Sequence, residues 1–131
     1  MMHWSTRHVG TPWVAGETDC WHFAASVWRD RWGWQVDPVA VDPADPRAIR
    51  QALGQIDPAV WRPVTRLAEG DAALMARGQR PCHVGSWILL PEGPAILHSV
   101  ERAGVIVTAP DRLREIGYRL VASYRWAACA R

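Results

Sequence analysis

The sequence predicts an α+β fold, with helices first and a small antiparallel sheet packed on the first helix. Apolar residues recur with a helical period over residues 20–28, whereas short apolar runs separated by turn-like residues fill the chain from residue 70 onward. This segregation is typical of α+β proteins rather than of alternating βα units. A chain of 131 residues corresponds to a single domain, 1–131, in which 1–10 form a lead-in arm and 127–131 a tail.

The first helix is predicted to begin with a cysteine in its first turn. Thr18 or Asp19 can cap its start, and Gly33 is a natural stop. One face carries residues at helical spacing: Cys20, Ala24, Val27 and Trp28. Because a thiol in the first turn lies at the positive end of the helix macrodipole, we expect the thiolate of Cys20 to be favoured.

The remaining elements follow from turn signals and apolar runs. A proline-rich segment, 36–46, leads to a second predicted helix over 46–56, with Asp45 as its N-cap. Residues 111–116 fit one or two helical turns. Strands are predicted at 61–64, 71–75, 83–90, 95–99, 104–108 and 117–126.

Composition limits the classes of function. The formal charge is +2, and the fifteen basic residues, all arginine, are scattered, so a nucleic-acid partner is not expected. No apolar run is long enough for a membrane span, and no signal peptide is recognisable, so synthesis in the cytoplasm with free thiols is expected. Most of the nine tryptophans are expected in the core or at its rim, with some in a groove or a protein interface.

One cysteine and two later histidines fit a nucleophile site. Cys20 would supply the thiol, His83 at the start of a strand the base, and His98 the group that orients it. The alternatives are a buried structural cysteine and rim histidines. The separation of fifteen between the histidines is odd, and we expect a turn or bulge to restore their phase on one face.

A zinc site is the competing interpretation of the same region. Cys20, His22, Cys82 and His83 could supply ligands, but their C-x-H and C-H spacings match no usual ligand pair. His22 fits a rim position better, and Cys129 in the tail is expected to be inert.

These motifs, in this order, resemble the NlpC-type papain-like cysteine peptidases of bacterial cell walls, in particular the subgroup of phage and prophage tail gene clusters. The match covers most of the chain. Its parts are Gly10-Thr-Pro-Trp-Val-Ala-Gly16, Asp19-Cys20-Trp21, Trp28 to Gly33, Gly70-Asp71, His83-Val84-Gly85, Leu97-His98-Ser99, and the ending from Gly117-Tyr118 to Tyr124-Arg125-Trp126.

The resemblance implies a papain-like NlpC-type fold with Cys20 as nucleophile, His83 as base and His98 as the orienting residue. The backbone N–H of Cys20 would form part of an oxyanion hole. Substrate contacts are implied for Trp13, Asp19 and Trp21, with Asp19 recognising the amine end of the ligand. The implied substrate is a peptidoglycan stem peptide cut between D-glutamate and a diamino acid, without a metal or an organic cofactor.

The family's setting implies a tail-associated peptidase that acts in the periplasm or cell wall during penetration or assembly, with other proteins of the tail tip or hub as partners. The chain departs from the family motif at three positions, where Glu17, Trp21 and His22 replace glycine, serine and glycine. The alternative function is therefore a weak or inactive structural protein of the tail that keeps the peptidase fold.

Overall fold

The predicted α+β class is confirmed by a computed structural model, which describes residues 2–36, 45, 47, 48, 51 and 59–127. Most of the predicted second helix and of the tail lies outside these residues. At the start of that helix, the Asp45 carboxylate accepts hydrogen bonds from the backbone N–H groups of Arg47 and Ala48, as an N-cap does. The elements in chain order are a 3₁₀ helix Trp4–His8, α1 Cys20–Trp32, β1 Trp61–Pro63, β2 Ala72–Arg77, β3 Arg80–Leu90, β4 Gly93–Val100, β5 Gly104–Thr108, a 3₁₀ helix Pro110–Ile116 and β6 Arg119–Trp126.

Helix α1 has the boundaries that its end signals predict. Asp19 is the N-cap, and its carboxylate accepts a hydrogen bond from the backbone N–H of His22 at 3.0 Å. Gly33 ends the helix in the left-handed conformation, at φ 73°, which glycine adopts without steric cost. The predicted apolar face is buried throughout its length, since Cys20, Ala24, Val27 and Trp28 are all at most 8% exposed.

The six strands form one antiparallel sheet in the order β1-β6-β2-β3-β4-β5. Strand β6, the last in the described part of the chain, therefore lies between β1 and β2. Helix α1 crosses one face of the sheet over β3 and β4. This arrangement places the first turn of α1 above the strands that carry the two histidines.

Side chains alternate between the two faces of the sheet, and each face has its own core. Under α1, the helix residues pack on a set from the strands: Ala72, Val84, Ile88, Ala95, Leu97 and Val105. The opposite face is covered by the second 3₁₀ helix and the residue after it. Its buried set is Ala73, Met75, Trp87, Ile96, Val100, Leu113 and Tyr118.

A buried ion pair joins strand β6 to the start of β2. Arg125 donates from Nε to Asp71 Oδ1 at 2.9 Å and from Nη2 to Oδ2 at 2.8 Å, a two-point contact. The same carboxylate accepts the backbone N–H of Ala68 at 2.7 Å, and Asp71 is almost fully buried. This end of the sheet therefore depends on a carboxylate whose oxygens all have partners.

The predicted lead-in is packed against the domain and is not a free arm. The Trp4 indole donates to Glu69 Oε1 at 2.7 Å and meets Trp32 edge to face. Two backbone hydrogen bonds then attach the chain to β5, from Gly10 N to Val105 O and from Val105 N to Thr11 O. These bonds hold the loop that precedes α1 against β5, the edge strand next to β4.

Most tryptophans contact one another or the core, as expected from their number. Trp28 is fully buried, and its indole N–H donates to the Gly70 carbonyl at 3.0 Å. Trp61 contacts both Trp28 and Trp126, while Trp32 stacks on Trp34. These contacts tie α1 to the edge of the sheet formed by β1 and β6.

Candidate active site

The first turn of α1 is inserted where strands β3 and β4 separate. The hydrogen-bonded ladder between these strands runs from Ser86 opposite Leu97 to the hairpin turn. Beyond the end of this ladder, the backbone N–H of Val84 donates a hydrogen bond to the sulfur of Cys20. On the other strand, the Ser99 hydroxyl donates to the Thr18 carbonyl in the loop before the helix. The thiol thus lies at the opening of the sheet, against the residue that follows His83.

The two predicted histidines contact each other directly. His83 Nε2 and His98 Nδ1 are 2.7 Å apart, and both side chains are buried. The second ring nitrogen of His98, Nε2, lies 2.9 Å from the hydroxyl of Thr108. His98 therefore contacts His83 through one ring nitrogen and Thr108 through the other, which is the arrangement that an orienting residue requires.

Of the turn and the bulge that were expected to restore the phase of the histidines, the turn is sufficient. The β3–β4 turn has two residues, so residues directly opposite each other, such as Ser86 and Leu97, are separated by an odd number of positions. Residues on one face of the hairpin that belong to different strands are therefore also separated by an odd number. His83 and His98 share a face without any register shift between these strands. Gly85 is needed beside them, because a Cβ there would lie 2.8 Å from the Cβ of His98 and 2.6 Å from Ile96 Cγ2.

Three residues that the sequence did not indicate complete the surroundings of the histidines. Thr108 fixes His98, as described above. Tyr118 stacks on the His83 ring, with centroids 4.5 Å apart and planes 12° from parallel, and the Arg77 guanidinium lies 4.5 Å from the Tyr118 ring. The only local signal was the position of Tyr118 just after a glycine, within a motif of the resembling family.

The thiol of Cys20 is buried and protonated, contrary to the expected thiolate. Burial raises the pKa of Cys20 to about 12, and the nearby Asp19 carboxylate and Cys82 raise it further. The backbone N–H groups of Val84 and Trp21 act in the opposite direction. Desolvation exceeds the effect of the helix N-terminus because only 8% of the residue is exposed.

Both histidines are neutral near pH 7. Burial, the neighbouring His98 and the Arg77 charge hold the pKa of His83 well below its ordinary value, and burial lowers that of His98 to about 4. If His83 Nδ1 is to accept a proton, Nε2 must carry one and donate it to His98 Nδ1. His98 Nε2–H then donates to Thr108, so one tautomer satisfies the whole chain.

Asp19 has a structural position rather than the open one that ligand recognition needs. Its carboxylate accepts the N–H of Gly16 at 2.7 Å and that of His22, and the His22 ring nitrogen Nδ1 lies 2.9 Å away. The residue is 3% exposed. The implied contact with a substrate amine is therefore corrected to a capping role, and His22 folds back on this cap without entering the contact between helix and sheet.

The other two implied substrate residues are partly exposed. Trp13 lies on the loop before α1, which is closed by hydrogen bonds from Thr18 Oγ1 to the Pro12 carbonyl and from Val14 N to Thr18 Oγ1. Trp21, next to the nucleophile, borders a narrow apolar cleft. The cleft is lined by Trp21, Trp61, Ala72, Leu74, Val84 and Tyr124.

The residues considered for zinc do not form a metal centre. Within the described ranges, no three histidine, cysteine, aspartate or glutamate side chains gather closely enough to hold an ion. Cys82 is the extra residue of a bulge in β3, between Pro81 opposite Ala76 and His83 opposite Met75. Cys20 and Cys82 are both free thiols.

Acidification from pH 7 to 4 is expected to lower the free energy of unfolding by about 3 kcal/mol through His98. Its pKa is about 4 in the fold against an ordinary value of 6.5, so between these values the unfolded chain binds a proton that the native state does not. Above pH 6.5 neither state is charged at this residue, and below pH 4 the loss is complete. Asp19, whose pKa is lowered from 3.8, acts below this window.

Urea denaturation at pH 7, 5.5 and 4, on the wild type and on His98→Asn, measures this effect. The variant should show a shallower fall of stability with pH, because residue 98 no longer titrates. Equal slopes for the two proteins would contradict the burial-driven shift.

Comparison with known proteins finds no family model and no curated protein that matches this chain. No helix of the described residues is long and apolar enough to cross a membrane. The geometry of Cys20, His83 and His98 therefore carries the functional conclusion, together with the motif resemblance.

Proposed function

We propose that the chain is a cysteine peptidase with Cys20 as nucleophile, His83 as base and His98 as the orienting residue. The observation that carries the proposal is the 2.7 Å contact between His83 Nε2 and His98 Nδ1 in a buried site. This contact leaves Nδ1 of His83 without a hydrogen-bond partner among the described residues. The backbone N–H of Val84, the residue after His83 in β3, donates to the Cys20 sulfur, which supports a base and a thiol at the opening between β3 and β4.

The chemistry follows from the protonation states. As the sulfur bonds to a peptide carbonyl carbon, the thiol proton passes to His83 Nδ1, so no resting thiolate is needed. The C–N bond then breaks, and the amine leaves with that proton, which yields a thioester on Cys20. Water hydrolyses the thioester with His83 as base, and the thiol is regenerated with a free carboxyl product.

The proposed substrate is a peptidoglycan stem peptide, cut between D-glutamate and the diamino acid. The D-C-W, H-V-G and L-H-S motifs support this class. The proposed setting is a phage tail, where the protein docks on other tail proteins and acts on the cell wall.

The test is a digest of purified peptidoglycan and of a free stem peptide by the wild-type protein, read by mass spectrometry. We expect a new pair of fragments, one of which ends at D-glutamate. Protein alkylated at its thiols under denaturing conditions and then refolded is the control and should give no fragments. Folded wild-type protein that cleaves neither substrate would refute the proposal.

A second candidate function is a structural or assembly protein of the tail that keeps this fold without activity. The observation that favours it is the thiol itself, which is 8% exposed with its pKa raised to about 12 by burial. Under this function, tail proteins co-purify with the chain while neither substrate is cleaved. Rapid labelling of Cys20 by a thiol probe at neutral pH would count against it.

A further inference from the structure

A polar cleft lies beside Tyr118, the residue whose ring stacks on His83. The histidines do not line this cleft. It has a volume of about 460 Å³ and is lined by Arg77, Val100, Glu101, Arg102 and Tyr118. Arg77 ends β2, while Glu101 and Arg102 form the turn between β4 and β5. The cleft is therefore built by the ends of three strands around one aromatic side chain.

Neither arginine of the cleft has an acidic partner. Among the described residues, no carboxylate forms an ion pair with Arg77 or Arg102, although Glu101 borders the same space. Arg77 lies over the Tyr118 ring, a stacked position that leaves the N–H groups of a guanidinium available for a two-point contact. Two cations with unused donors beside an open cleft fit an anionic ligand.

The backbone of Arg102 has a conformation that residues other than glycine seldom adopt. Its φ is 73°, and it is the one residue other than glycine with positive φ in the described ranges. Glycine is the usual residue at such a hairpin position, because a side chain there costs about 1 kcal/mol or more. A strained arginine at the rim of a cleft indicates that its side chain serves the cleft rather than the turn.

Tyr118 connects the cleft to the proposed active site. Its ring stacks on His83, and the charges of Arg77, Cys82, Cys20 and Glu101 all act on its phenol. The cleft and the thiol therefore lie within electrostatic reach of one side chain. A ligand that fills the cleft would contact Tyr118, whose ring stacks on His83.

We infer that this cleft is a carboxylate subsite, in which Arg77 and Arg102 bind an acidic group of the substrate peptide. The inference rests on the proposed function and deepens it. Glu101 disfavours a second carboxylate and favours an amine near the first, so the preferred ligand carries both groups, as a free α-amino acid group does. A carboxylate on Arg77 would also offset the repulsion that this arginine exerts on a protonated His83.

The test uses the full chain with Cys20→Ala, which binds without turnover, and two probes. One is a free stem peptide with its carboxylates, and the other is the same peptide with every carboxylate converted to an amide. Nuclear magnetic resonance titration should show saturable shifts at the Arg77 Nε–H and at the backbone of 100–102 with the first peptide. The amidated peptide should bind at least about tenfold more weakly.

Variants locate the contact. Arg77→Gln and Arg102→Gln should each weaken binding of the acidic peptide about tenfold and leave binding of the amidated one unchanged. Arg29→Gln is the matched control, since Arg29 is paired with Asp30 on the exposed side of α1 and should not affect either peptide. Equal binding of the two peptides, no binding of the acidic one, or no effect of the arginine variants would overturn the inference.

The outcome is separable from that of the proposed function. Binding at the cleft without any cleavage by the wild type would keep the subsite and remove the peptidase. Cleavage by the wild type with unchanged KM in Arg77→Gln would keep the peptidase and remove the subsite.

Discussion

Cys20→Ala is expected to abolish cleavage of the stem peptide, with a loss of at least about 10⁴-fold and up to about 10⁶-fold in kcat, as in other enzymes with a nucleophile and a base. The residue supplies the only atom in the proposed site that can bond to the carbonyl carbon. The fold should survive, because alanine fills most of the small space that Cys20 occupies against Ala72 and Val84. Circular dichroism and mass spectrometry of the digest measure the two results.

Cys82→Ala is the matched control. Cys82 is also a free thiol close enough to affect the electrostatics of Cys20, but it lies in a bulge of β3 and has no part in the proposed reaction. We expect its variant to keep activity within about threefold of the wild type. Loss of activity in Cys82→Ala with full activity in Cys20→Ala would move the nucleophile to residue 82.

Asp71→Asn is expected to destabilise the fold by about 3–5 kcal/mol, the largest effect on stability that we predict. The change removes one charge from a buried pair in which Asp71 and Arg125 are 3% and 25% exposed. An asparagine also offers one acceptor oxygen, whereas the carboxylate accepts from both Arg125 nitrogens and from Ala68 N. Urea denaturation at pH 7 measures the difference.

Asp30→Asn removes the same charge from an exposed pair and is the matched control. Arg29 and Asp30 are 56% and 51% exposed at 3.3 Å, and such pairs contribute less than about 1 kcal/mol. Similar losses in the free energy of unfolding of the two variants would mean that burial does not increase the contribution of the Asp71 carboxylate to stability. A smaller loss in Asp71→Asn than in Asp30→Asn would contradict the structure of this end of the sheet.

Local signals predicted the parts of the fold that depend on near neighbours in the chain. The cap at Asp19 and the left-handed Gly33 define α1, since each acts within one turn of the helix. The strands were located by apolar runs between turns and were predicted to form an antiparallel sheet, but the position of β6 between β1 and β2 was not predicted. The contact of His83 with His98 was predicted, and the two-residue turn sets their phase without a bulge.

The features of the site that the sequence did not predict depend on contacts between distant segments of the chain. The burial that raises the pKa of Cys20 comes from strands more than fifty residues away, so helix position alone gave the wrong direction. Thr108 and Tyr118 contact the histidines through folding, without a spacing that could be recognised in the chain. A cap of α1 by Thr18 or Asp19 was predicted and Asp19 is the cap, but the contacts of its carboxylate with Gly16 and the His22 ring were not predicted.

Because the first turn of α1 lies at the opening between β3 and β4, the contacts of the site close chain loops of two different lengths. The histidine pair, Thr108 and Tyr118 all come from residues 83–118, so their contacts close short loops at a small entropic cost. Cys20 reaches them only by closing a loop of about sixty residues, which includes the proline-rich segment. An intermediate with a formed sheet and an undocked helix would hold the base without its nucleophile, so a partly folded chain could not attack its neighbours.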